Sequence, residues 1–200
     1  LAGPIAGSRV ARWNGTSWSA LGSGILATVS TSVQALTVRN GDLVVCGQFT
    51  HAGGVLVSNI ARWDGAAWHP LGAGIGNAGL CLGVLHTGDL VVGGYFTAAG
   101  GVAASNIARW DGSTWSPCGS GTSYSVGSLT TMPNGDLIAG GGFEYAGGVR
   151  VGGLARWDGI TWHALSSGLG IVRALQRLPT GDLVAAFLIA GGGGKGGTWE

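Results

Sequence analysis

Three residue types recur at spacings that could support chemistry: carboxylates, arginines and tryptophans. The chain has nine Asp and Glu residues. Asp42, Asp89, Asp136 and Asp182 each close one kind of tight turn, and Asp64, Asp111 and Asp158 open a second, where Asn14 stands in the first copy. Glycoside hydrolysis needs two carboxylates facing each other at a set separation. Here seven of the nine are repeat positions, where Asp favours turns by bonding its own backbone, and only Glu144 and Glu200 lie off the repeat. No catalytic pair is assigned, and an enzyme is not expected. Arg12, Arg62, Arg109 and Arg156 sit just before the second turn, at the same end as the first. Arg109 is therefore within reach of Asp89, Asp136 or Asp111. A ring of such arginines could bind anions. A repeated Arg–Asp pair is favoured, because a buried guanidinium without a partner is costly.

The tryptophans form pairs that flank the second turn: Trp13/Trp18, Trp63/Trp68, Trp110/Trp115 and Trp157/Trp162. Packing across strands or between units accounts for them, with sugar stacking as a secondary use. His51, His69, His86 and His163 are scattered without metal-ligand spacing, and no metal or cofactor is expected. Cys46, Cys81 and Cys118 are lone substitutions in different units, without a CxxC. Buried free thiols are the favoured reading. Gly22-Ser23-Gly24-Ile25-Leu26-Ala27 imitates a dinucleotide fingerprint, but that motif has meaning only between a strand and a helix. Asn14-Gly15-Thr16 is a glycosylation sequon that occupies a turn.

These residues are positioned by an internal repeat. Asn106-Ile107-Ala108-Arg109-Trp110-Asp111-Gly112-Ser113-Thr114-Trp115 recurs at 59–68, at 153–162 with its first two positions changed, and from Val10 in shorter form. The core arginine steps by 50, 47 and 47 residues. A period of this size means stacked supersecondary units. Each unit reads as four short strands: 127–132, 137–143, 106–110 and 115–119 in the clearest copies. Asn134-Gly135 and its equivalents mark tight hairpins. A double glycine such as Gly93-Gly94 suggests a bulge or close backbone approach, and a longer loop is expected over 97–105. Strands two and three are apolar on both alternating faces, so the sheet must lie between other layers. The fold class is all-β, a β-propeller of four-stranded antiparallel blades.

The expected organisation is a propeller segment over 1–190, with strands three and four of one blade at 9–22, full blades at about 32–72, 79–119 and 126–166, and strands one and two at 171–189. Residues 190–200 read as a Gly-rich degenerate tail. An excised part of a larger ring is favoured over a closed four-bladed one.

Only 10% of residues are charged and the net charge is +1, which argues against binding nucleic acid or a membrane surface. The longest apolar run, 183–190, is too short to span a bilayer. The chain begins with Leu1 rather than Met and shows no signal peptide, which leaves room for an upstream portion.

The unit resembles a Kelch-type propeller repeat: a double glycine closing strand two, an aromatic closing strand three, a tryptophan opening strand four. It departs in the shorter turn between the two aromatics. Asn106 to Gly112 together with Asn134-Gly135-Asp136-Leu137 resembles tandem repeats of large secreted bacterial proteins, the related Rax2-like fungal propellers and the galactose-oxidase-like superfamily. The oxidase site of that superfamily, two Tyr and two His, cannot be assembled here. Asp111 to Trp115 is also similar to the Asp-box of sialidase propellers, with one residue fewer.

The resemblance implies an extracellular or cell-surface module for protein interaction or adhesion. A multivalent lectin is the alternative, and a glycoside-active or oxidase propeller with its catalytic residues outside this chain is the third. Both tight turns fall on one face of the ring. The opposite face carries His51, Tyr124, Glu144, Tyr145 and Arg150 on variable loops, where binding usually lives. The partner, protein or glycan, is unspecified. Further blades of the same polypeptide or a homodimer are the expected neighbours.

Overall fold

A computed structural model describes residues 8–25, 32–165 and 168–189. Among these residues the chain is strand and turn, with no helix. The first two strands, β1 (Ala11–Trp13) and β2 (Trp18–Ala20), form a two-stranded sheet. Strands β3 (Ser32–Arg39), β4 (Asp42–Gln48), β7 (Ile60–Trp63) and β8 (Trp68–Pro70) make the first complete blade, with the small hairpin β5 (His51–Ala52) and β6 (Val55–Leu56) between β4 and β7. The second blade is β9 (Gly79–Val84), β10 (Leu90–Gly94), β13 (Ile107–Trp110) and β14 (Trp115–Pro117), with hairpin β11 (Ala98–Ala99) and β12 (Val102–Ala103). The third is β15 (Val126–Thr131), β16 (Leu137–Gly141), β19 (Leu154–Trp157) and β20 (Trp162–Ala164), with hairpin β17 (Tyr145–Ala146) and β18 (Val149–Arg150). A second two-stranded sheet, β21 (Ile171–Arg177) and β22 (Leu183–Leu188), ends the described chain.

The apolar pattern explains the layering. Strand two of the blades, β10 and β16, is buried at every residue, and the innermost strands stack in succession, β3 against β9, β9 against β15 and β15 against β21. Each blade therefore presents both faces to neighbours, and each fully buried Val or Leu contributes about 1.5–3 kcal/mol. This is the β-propeller arrangement of all-β, four-stranded antiparallel blades.

Two details differ from the pattern read in the sequence. Strand ends move by one or two residues: strand one of the third blade begins at Val126 and strand two ends at Gly141. The segment expected as a loop over 97–105 contains the β11–β12 hairpin, turned by Gly100 and Gly101 at φ of 61° and 84°. Two successive left-handed residues are what a type I′ turn requires. The expected glycine feature of strand two has two parts. A register shift lies between Gly93 and Gly94 opposite Cys81 and Gly79, so the extra residue belongs to strand one. A Cβ on Gly93 would also strike Val126 of the next blade at 2.6 Å.

The three thiols are buried and free. Burial pushes the Cys46 and Cys118 thiols up to about 12 and raises that of Cys81 further. The tail over 190–200 and residues 26–31, in the connection between β2 and β3, lie outside the described residues.

Candidate binding face

The repeat positions assemble on the tight-turn face. Asp42 and Val44 share a side of β4, and Arg62 pairs across from Val44, so the charges meet on the diagonal. Arg62 bonds Asp42 at 2.6 Å, Arg109 approaches Asp89 at 3.3 Å, and Arg156 bonds Asp136 at 2.7 Å. All three pairs join residues of one blade. Arg156, and after it the Asn134 amide, hold the Asp136 carboxyl below the usual carboxylate range. Arg12 and Asp182 meet no opposite charge among the described residues.

At the second turn, Asp111 Oδ1 accepts from the Ser113 and Thr114 amides at 2.7 and 2.9 Å. Those amides, with the hydroxyls of the same residues, hold its carboxyl far below the ordinary value. Sequence reasoning missed two histidines here. His69 and His163 each reach the turn carboxylate, Asp64 or Asp158, at 2.6 Å. The signal was an Asp five residues before the His that follows a strand-four Trp. Arg39 was also missed. It spans to the next blade, donating to Gly88 O at 2.7 Å and Asp111 O at 2.9 Å.

The tryptophan pairs pack across strands three and four, with ring centroids 5.2–5.6 Å apart. The strand-four member also ties one blade to the preceding one. Trp68 donates to Leu21 O, Trp115 to Leu71 O and Trp162 to Cys118 O, at 2.8–2.9 Å. These indoles are buried, which leaves them no face for a sugar.

The opposite face is built from the small hairpins and the connections after strand four. Each connection is stitched to a hairpin: Gly53 N donates to Gly24 O, Gly100 N to Gly74 O and Gly147 N to Gly121 O, at 2.7–2.8 Å. Asn59 and Asn106, at φ of 61° and 65°, send their amides onward to Ile75 O and Thr122 O. The loops are therefore held by backbone bonds on a rigid frame.

On this face, Tyr124, Glu144, Tyr145 and Arg150 come together at the junction of the second and third blades. Ser123 Oγ accepts from the Glu144 and Tyr145 amides, and its own amide donates to Tyr145 O. Tyr145 pairs with Arg150 across β17–β18, and Arg150 bonds Glu144 at 2.9 Å. His51 lies in the first blade's hairpin, where its side chain meets Thr50 Oγ1 at 3.0 Å.

The residue missed on this face is Tyr95. Its ring meets Tyr124 at 5.7 Å and 60°, and the two remain 52% and 55% exposed. They border a groove of about 330 Å³ lined also by Asn77, Phe96, Thr97 and Ser123. Tyr95 and Tyr124 replace Gln48 and Asn77 of the preceding junction, so the pair occurs once. Among the described residues no three His, Cys, Asp or Glu side chains converge as metal ligands would.

Residues 87–111 match a β-propeller family described as a domain of unknown function, DUF5122. No curated protein matches the chain. The chain is similar to the WD40 β-propeller domain of Doa1, at 16% identity and a TM-score of 0.51, covering 80% of this chain and 49% of that one. It is also similar to the extracellular domain of the putative one-component system BT4673 from B. thetaiotaomicron, at 12% identity and a TM-score of 0.51, covering 80% of this chain and 21% of that one. The chain thus spans about half of the first protein and about a fifth of the second. At such identities the likeness shows the β-propeller fold alone.

Proposed function

We propose that this chain is a non-enzymatic β-propeller module that binds a protein partner through its loop face, in an extracellular or cell-surface setting, as its Kelch-like repeat pattern suggests. The Tyr95–Tyr124 pair carries this reading. In the three complete blades the repeat residues are satisfied: arginines by aspartates of the same blade, strand-four indoles by carbonyls of the preceding one, turn carboxylates by amides. The tyrosine pair breaks the repeat and keeps half its surface open. Tyrosines of this kind are common anchors of protein interfaces, because a large rigid ring is buried at little entropic cost. Glu144 and Arg150, paired beside it, form a polar rim.

A second reading is a glycan site in the same groove, supported by the hydroxyl and amide groups of Asn77, Thr97 and Ser123 around the rings. A sugar would stack on an aromatic face and exchange hydrogen bonds with such a rim. The site would be single rather than one per blade, because the tyrosine pair occurs once.

Two panels test the readings: a phage-displayed random peptide library and a glycan array, each probed with the immobilised chain. Peptide binders are expected whose affinity falls roughly 30-fold or more in Tyr124→Ala, as for a hot-spot residue, and which tolerate Arg9→Ala, an exposed side chain just before β1. Array signals lost in the same variant would establish the glycan reading instead. Binders on either panel that ignore both Tyr95→Ala and Tyr124→Ala would overturn this placement of the site.

A further inference from the structure

We propose that the two open half blades are complementary halves of one blade, and that a second copy of this chain completes it. β21–β22 of one copy pairs with β1–β2 of the other, twice over, in a closed head-to-tail ring of two copies.

Three mismatches within one chain become matches between two. The first is backbone pairing. In the complete blades strand two pairs with strand three, as Leu43↔Trp63, Val44↔Arg62 and Val45↔Ala61. β22 has strand-two sequence and no strand on its outer edge among the described residues; β1 has strand-three sequence and the same vacancy on its own. The repeat register places Leu183 opposite Trp13, Val184 opposite Arg12 and Ala185 opposite Ala11 of the partner copy. Open edges of this kind are templates for strand addition.

The second is charge. That register sets Asp182 diagonal to Arg12, the arrangement that brings Asp42 to Arg62 at 2.6 Å and Asp136 to Arg156 at 2.7 Å.

The third is apolar packing. Leu175 is 8% exposed because β21 lies against the third blade, whereas its equivalent Leu36 in β3 is 55% exposed. Val172 and Leu175 cover Gly140 of β16. Ala186 is the equivalent position of β22, so a docked half blade puts Ala186 against Val33 and Leu36; because a Cβ at Gly140 would lie 2.5 Å from Val172, Val33 has to shift to admit the Ala186 methyl. Trp18 repeats the pattern. It is 56% exposed where Trp115 is 6% exposed and bonds Leu71 O of the preceding blade. The carbonyl that Trp18 would find in a docked copy is that of Leu165, itself exposed where Leu71 is buried.

The ring takes two copies for a geometric reason. Innermost strands pack in line from β3 to β21, and no such packing returns from β21 to β3 among the described residues, so the arc does not close on itself. Two copies, each with three complete blades and two halves, make a ring of eight. The two junctions are related by a twofold axis, so Arg12 of each copy meets Asp182 of the other and the ring closes.

The test uses the 200-residue chain. Light scattering during size exclusion is expected to give twice 19.9 kDa. Arg12→Asp and Asp182→Arg each set like charges at both junctions, and each variant alone is expected to dissociate roughly ten-fold or more readily. An equimolar mixture restores an opposite pair at both junctions and is expected to restore the dimer. Both side chains lie at the open ends, and retained tryptophan fluorescence checks that the variants fold. Mixing copies carrying Ala11→Cys with copies carrying Ala185→Cys is expected to yield a cross-chain disulfide. A monomeric wild type, a ladder of higher masses, or a dimer indifferent to the charge exchange would overturn the proposal. So would a chain carrying both cysteines that crosslinks within itself.

Discussion

At the scale of single residues, the carboxylates serve turns and strand ends. Asp64, Asp111 and Asp158 each accept two backbone amides, and these bonds hold their carboxyls far below the ordinary range. Asp136 is lowered by its arginine. A carboxyl with a folded value below its unfolded one, near 3.9, stabilises the fold above that pH, and the contribution is lost as pH falls toward the folded value. Thermal stability is therefore expected to be insensitive to these groups from pH 5 to 8 and to fall below about pH 4. The first turn identifies the controlling atom. Asn14 Oδ1 accepts the Thr16 and Ser17 amides at 2.9 Å without a charge. Asp111→Asn is thus expected to hold its melting temperature at pH 7 while losing part of the acid dependence, and Asp111→Ala to lose stability at both. A scan of Tm against pH for the three proteins checks this. Equal behaviour of the Asn and Ala variants at pH 7 would mean that the turn bonds contribute nothing.

At the scale of elements, the glycines that look alike in sequence divide by what faces them. Gly100 and Gly101 are adjacent and both left-handed, yet a Cβ on Gly100 would lie 2.7 Å from Trp115 Cδ1, while one on Gly101 meets nothing within 4 Å. Gly53 stands in the same relation to Trp68, and Gly147 to Trp162. The first glycine of each hairpin thus packs against the strand-four tryptophan. Gly101→Ala carries only the left-handed penalty, about 1–2 kcal/mol. Gly100→Ala adds overpacking of about 1–3 kcal/mol. Urea unfolding should rank wild type, Gly101→Ala and Gly100→Ala in falling order of midpoint, and a reversed order of the two variants would refute the contact. The example also shows what sequence could and could not disclose. Strands of five or more residues, such as β10 and β16, were legible from their apolar runs, and the hairpins at Asn134-Gly135 from turn chemistry. The β11–β12 hairpin was not, because two residues per strand are too few for any alternation. Tyr95 and Tyr124 belong to different blades, so their meeting depends on how one blade sits on the next, which no local pattern encodes. His69 lies five residues after Asp64, and His163 five after Asp158, so the sequence itself carried the signal for that pairing.

At the scale of the whole molecule, stability should be graded along the arc rather than uniform. A strand-two amide in β10 is bonded within a sheet that has neighbours on both faces, so its exchange needs disruption of the middle of the stack. The half blades have one sheet partner fewer, and β22 leaves Val184, Phe187 and Leu188 exposed. In quasi-one-dimensional stacks each unit is held by its own stability and its neighbours', and local opening costs least at the ends. Amide hydrogen exchange is therefore expected to be slowest in β4, β10 and β16 and fastest in β1 and β22. The gradient also bears on assembly. If a second copy completes the broken blade, β1 and β22 gain strand partners, and their protection rises with protein concentration while that of β10 changes little. Exchange followed by mass spectrometry over a hundred-fold concentration range separates the two effects. Protection of β1 and β22 that equals β10 even at the lowest concentration would mean that their edges are covered within one chain, and the arc would then be a closed ring. Protection that stays low throughout would leave the half blades exposed edges, which is the condition under which strands aggregate. The central blades, whose order depends only on their own neighbours, should exchange alike in either case, so their amides serve as the internal reference for the ends.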